Sequence, residues 1–121
     1  VVVRQQLNGV ALTLWQESPL VGVGLGNFLV RLPEVLASRQ IYFLQPVHNI
    51  YLLVLSEVGI VGLLVFLYFM RLGLKNFQFS IFNFQFSLLA LLLLGFVDHY
   101  PFTLQQGQLL FTLVLALGLV Q

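Results

Sequence analysis

The chain has no cysteine, a single tryptophan and a single methionine, and charged residues make up only 7% of it. Without a thiol, neither a disulfide framework nor thiolate metal ligation is available. The scarcity of charge excludes an ordinary soluble domain, in which roughly a quarter of residues are charged. A net charge of +1 gives no argument for nucleic acid, and none is expected as a partner. The first residues are not expected to be a signal peptide, because Val1 to Val10 contains Arg4, Gln5, Gln6 and Asn8 and no apolar core of the required length. In place of charge stand 60% hydrophobic residues and a mean hydropathy of +1.00 over 121 residues. This composition predicts an all-α membrane protein whose main partner is the lipid bilayer. Because the sequence ends at Gln121 inside an apolar run, the chain is expected to be one piece of something larger.

Three hydrophobic segments divide the chain. The clearest is 50–70, where Glu57 is the only charge. At 1.5 Å per residue a helix of that length covers about 31 Å, enough for the hydrocarbon core. Segments 81–97 and 103–120 are expected to be further spans, the last only if its polar first turn sits in the interface. The expected architecture is therefore about three transmembrane helices, preceded by an amphipathic helix over 1–17 and an outer loop over 18–47.

Basic residues suggest the orientation. Arg71 and Lys75 follow the first span and lie in the short connection to the second, which the positive-inside rule places in the cytoplasm. His48 then opens on the outer face, and Asp98 and His99 return to that face. Arg31 and Arg39 lie in the outer loop against the rule, where a ligand would explain an arginine as well as chance does.

Leu7, Val10, Ala11, Leu14 and Trp15, spaced by threes and fours, form one stripe of the first helix, with Arg4 toward its flank. The stretch "SPLVGVGLGNF" alternates Gly22, Gly24 and Gly26. It has neither the spacing of a dinucleotide fingerprint nor the Lys of a phosphate-binding loop. Its glycines allow close backbone approach, to a helix or to an anion. "NFQFSIFNFQFS" from Asn76 to Ser87 repeats NFQFS and reads as an interfacial turn without chemistry of its own.

His48 and Asn49 stand at the mouth of the first span. On a continuous helix, Tyr51, Leu52, Leu55, Gly59 and Gly62 would lie beneath His48, with small residues where another helix could approach. Glu57 would fall on the opposite face and be costly there unless protonated or paired. Both His and Asn are comfortable at a wet helix start, so on physics alone His48 reads as the neighbour of an N-cap.

The combination resembles a known family. Arg4 at the start of an amphipathic helix, then "SPLVGVGLGNF", then "HN" followed by nine residues and "GIVG" is similar to the O-antigen ligase and O-antigen polymerase superfamily of bacterial membrane glycosyltransferases. The resemblance covers roughly Arg4 to Phe69, and "FVDHYPFTLQQGQLLF" is similar to the tail of some members. It implies the C-terminal part of a multi-pass, GT-C-like enzyme of the bacterial inner membrane, with further N-terminal helices outside this chain. The implied donor is an undecaprenyl-diphosphate-linked glycan. The acceptor is a lipid-borne core sugar or another glycan repeat, and no cofactor or metal is implied. The family's functional histidine falls on His48 and one of its arginines on Arg4. Arg31, Arg39 and Asn49 are further candidates for the diphosphate or glycan, and Asp98 and His99 for the acceptor side. A different reading is a small non-catalytic membrane subunit, in which His48 only neighbours a cap and the glycines only pack.

Overall fold

The structure is a computed structural model, described here for residues 2–36, 44–75 and 84–120. Among these residues the regular elements are all helices: α1 (Val2–Glu17), α2 (Phe28–Val35), α3 (Ile50–Gly73), α4 (Phe84–Leu94), α5 (Tyr100–Thr103) and α6 (Gln105–Val120). One helix, α3, is long and apolar enough to cross a membrane, while α4 and α6 are apolar but shorter. The expected spans 81–97 and 103–120 are thus only partly met. The second helix stops at Leu94 and the chain turns, and a four-residue helix precedes the third. The start of the second segment and most of the NFQFS repeat lie outside the described residues.

The amphipathic stripe of α1 does what its spacing predicts. Leu7, Val10, Ala11 and Leu14 are buried with Phe28 and Leu32 of α2, Val47, and Leu53 of α3. Helix α2 was not visible in the outer-loop sequence. Phe28 and Leu32, one turn apart, are its buried face. A second cluster joins Met70, Leu88, Leu92, Phe111 and Val114, and so holds the far half of α3 to α4 and α6. Val61, Leu64, Val65 and Leu67 of α3 point outward, as a helix among lipid chains requires.

The sequence reading missed the interruption of α3. Gly59 has φ 68° and ψ −169°, so the helix is two half-helices, 50–58 and 60–73. Such a break leaves carbonyls unpaired on one side and N–H groups on the other, a cost of several kcal/mol per group inside hydrocarbon. The stretch 19–24 supplies the missing partners. Ser56 and Glu57 carbonyls accept from the amides of Val23 (2.9 Å) and Gly24 (2.8 Å), and the amides of Ile60 and Val61 donate to the carbonyls of Pro19 (2.9 Å) and Leu20 (3.2 Å).

This clasp needs glycine on both sides. A Cβ on Gly22 would run into the Glu57 carbonyl, and one on Gly59 into the Leu20 carbonyl. Of the two uses open to the alternating glycines, the structure shows approach to a helix. Glu57 itself is buried, and its carboxylate accepts from the amides of Gly26 (2.9 Å) and Phe28 (3.1 Å). Those amides lie at the start of α2, where the helix dipole favours an anion. The pairing demanded of a buried Glu57 is therefore met by backbone rather than by a cation.

Candidate functional site

The mouth of α3 is tied to the turn that follows α4. Asn49 caps α3, its Oδ1 accepting from the amides of Tyr51 and Leu52 at 3.0 Å each. Its Nδ2 donates to the Phe96 carbonyl at 3.3 Å, and the Ile50 amide donates to Gly95 at 2.8 Å. One turn further, the Tyr51 hydroxyl donates to the Leu92 carbonyl at 2.8 Å. These bonds bring the end of α4 against the start of α3, and with it Asp98 and His99 beside His48.

The geometry there is specific. His48 Nδ1 lies 3.9 Å from Asp98 Oδ1 and is buried without a hydrogen-bond partner. His48 Nε2 sits 3.2 Å from Gln45 Oε1. The His48 and His99 rings are 4.8 Å apart between centroids. Both nitrogens of His48 thus face an oxygen acceptor.

His99 is buried, with its Nδ1 2.6 Å from Thr103 Oγ1. Desolvation, then the neighbouring His48, hold its pKa below the ordinary value, while Asp98 acts against them. Burial and the neighbouring imidazole therefore favour the neutral form of His99. Asp98 also has a structural duty, since its Oδ1 accepts from the amides of His99 (2.7 Å) and Tyr100 (3.3 Å).

His48, Asp98 and His99 could each offer a ligand atom, all within 4.8 Å of one another. A tetrahedral zinc with bonds of about 2.0–2.1 Å would need its donors roughly 3.3 Å apart. As placed, the three groups are spread more widely than such an ion asks.

The structure treats the arginines differently. Arg4 is exposed on the first turn of α1 and makes no ion pair among the described residues. Arg31 instead bridges Glu17 at 2.7 Å and Glu34. Those two carboxylates, led by the hydrogen bond to Glu34, raise its pKa. The expected phosphate contact of Arg31 would have to displace both, so its visible work is to tie the end of α1 to α2. Arg39 lies outside the described residues.

Beside the cluster is a cavity of about 690 Å³, lined largely by apolar side chains such as Phe28, Phe66, Phe102 and Phe111. Glu57 and Thr103 also border it, so Thr103 touches both His99 and the cavity. Sequence reasoning had not connected Thr103 or Gln45 with His99 and His48. The spacing His99 to Thr103, one helical turn, is the trace that could have suggested the first.

Asn49 emerges as a capping residue, and its substitution is expected to act on stability more than on chemistry. Asn49→Ala should cost about 1 kcal/mol, within the 0.5–2 typical of a lost N-cap. That would appear as a lower melting temperature with the function at His48 largely retained.

No curated protein and no solved structure matches the chain. The O-antigen ligase family profile matches residues 2–67, which covers α1, the glycine clasp, α2, His48, Asn49 and most of α3. With more than half its length matched, and with His48 and the clasp inside the match, the chain belongs to the O-antigen ligase family.

Proposed function

We propose that this chain carries the catalytic histidine of a multi-pass bacterial inner-membrane glycosyltransferase that draws on an undecaprenyl-diphosphate-linked glycan at the periplasmic face. Family membership gives the coarser statement, a glycan-processing role at a membrane. The observation that carries the finer one is the convergence at His48. A histidine within the family match has a buried, unpartnered Nδ1 facing Asp98 and lies beside His99 at the mouth of an apolar helix.

In this reading His48 takes the proton of the acceptor hydroxyl. The acceptor oxygen bonds to the anomeric carbon as that carbon's bond to the donor phosphate breaks, and undecaprenyl diphosphate leaves with the bonding pair. The resulting imidazolium is flanked by Gln45 Oε1 and the Asp98 carboxylate, which stabilise it. In the other role open to it, a protonated His48 faces the departing diphosphate. Arg4, whose guanidinium makes no ion pair among the described residues, is a residue of this chain available to the diphosphate. The acceptor is a lipid-borne sugar or another glycan.

Two experiments address this reading. Replacing Asp98 and His99 together by alanine, in the complete gene product that carries this chain, should reduce glycan transfer at least tenfold with membrane abundance unchanged. A parallel loss of protein would assign the pair to the fold alone. A reporter fused after Lys75 should report cytoplasm and one fused after Pro46 the outer side. The opposite pattern would separate His48 from a periplasmic donor.

A further inference from the structure

At the end of α3 remote from His48, Tyr68, Arg71 and Lys75 border a groove with Leu67, Met70 and Leu72. Tyr68 and Arg71 share one face of α3, Lys75 follows in the turn after the Leu74 C-cap, and all three side chains are exposed. Neither cation makes an ion pair among the described residues.

No carboxylate is at hand to neutralise them. The chain has four acidic residues. Glu17 and Glu34 are taken by Arg31, Glu57 by the amides of Gly26 and Phe28, and Asp98 lies in the histidine cluster. Between Val58 and Val97, Arg71 and Lys75 are the only charged residues. The helix dipole accounts for a cation in the last turn of α3, but not for a second cation beyond it or for an apolar groove between them.

We propose that this groove seats the headgroup of an anionic phospholipid. The Arg71 guanidinium offers a planar fork for phosphate oxygens and the Lys75 ammonium a point charge. Tyr68 adds an aromatic ring with a polar tip, a side chain suited to the membrane–water interface. The leucines of the groove cover the glycerol and the first methylenes of the acyl chains. Charge decides the occupant, because a zwitterionic headgroup returns a positive group to a site that already holds two. Two cations near a membrane surface should enrich an anionic lipid roughly tenfold to thirtyfold over a zwitterionic one.

The test reconstitutes the complete gene product that carries this chain in nanodiscs of phosphatidylcholine with a minority of phosphatidylglycerol, extracts it into mild detergent and counts retained lipids by mass spectrometry. Phosphatidylglycerol should be retained roughly tenfold or more above its share of the bilayer. Arg71→Gln with Lys75→Gln should return the ratio to that of the bulk, while Arg71→Lys should keep most of the enrichment. Should the double variant fail to fold, Lys75→Gln alone is expected to lose part of the enrichment with its helical circular dichroism intact. Retention at the bulk ratio, enrichment indifferent to these substitutions, or displacement of the lipid by millimolar inorganic phosphate would overturn the proposal.

Discussion

Gly59→Ala should leave little folded protein. At φ 68° and ψ −169°, Gly59 occupies a backbone region essentially closed to other residues, at a cost of about 1–3 kcal/mol. The new methyl would also meet the Leu20 carbonyl, which is fixed because it accepts from Val61. Overpacking of this kind costs about 1–3 kcal/mol more where the neighbour can move, and here the neighbour is backbone. Set against a typical total stability of about 5–15 kcal/mol, that is a large fraction. Gly26→Ala is the informative comparison. It shares a positive φ of 75°, but its methyl would meet nothing within 4 Å. Membrane abundance and thermal stability should fall much further for Gly59→Ala than for Gly26→Ala, and equal losses would mean that the clasp is not the reason for the glycine.

The clasp also shows where sequence reasoning stopped. Hydropathy registers 50–70 as one apolar run and has no means of seeing a break whose unpaired groups are satisfied by residues 19–24. The alternating glycines did signal close approach, and the buried Glu57 did signal a required partner. What linked the two was tertiary pairing between stretches far apart in sequence. Periodicity was enough for α1, because its stripe of Leu7, Val10, Ala11 and Leu14 buries one face. It was not enough for α2, an eight-residue helix that contains Pro33 and so reads as loop.

At the candidate site, the alternation of spans put Asp98 and His99 on the same expected face as His48, but their contact with it depends on the bonds that tie the turn after α4 to the start of α3. The capping role of Asn49 was legible from its place before an apolar helix. The engagement of Arg31 by Glu17 and Glu34 was not, because it depends on how α1 and α2 lie against each other.

His48→Ala should lower glycan transfer by about two to four orders of magnitude, the usual contribution of general acid–base help, with protein level and melting temperature close to those of the parent. The side chain is partly exposed, and its contacts are one loop glutamine, a distant carboxylate and the neighbouring His99 ring. Its removal therefore takes little from the fold. Asn49→Ala should show the inverse profile, with a clear loss of stability and a modest loss of transfer. The contrast between these adjacent residues separates chemistry from capping at the mouth of α3.

His48→Gln asks the central question most directly. Glutamine keeps a hydrogen-bond donor at this position but can neither take a proton from an acceptor nor carry positive charge. Transfer from a purified lipid-linked donor, measured across a pH series, should fall about as far for His48→Gln as for His48→Ala at every pH. Near-normal turnover by His48→Gln, with the parent's pH profile preserved, would contradict both the base and the cation roles and leave His48 as a polar neighbour of the Asn49 cap.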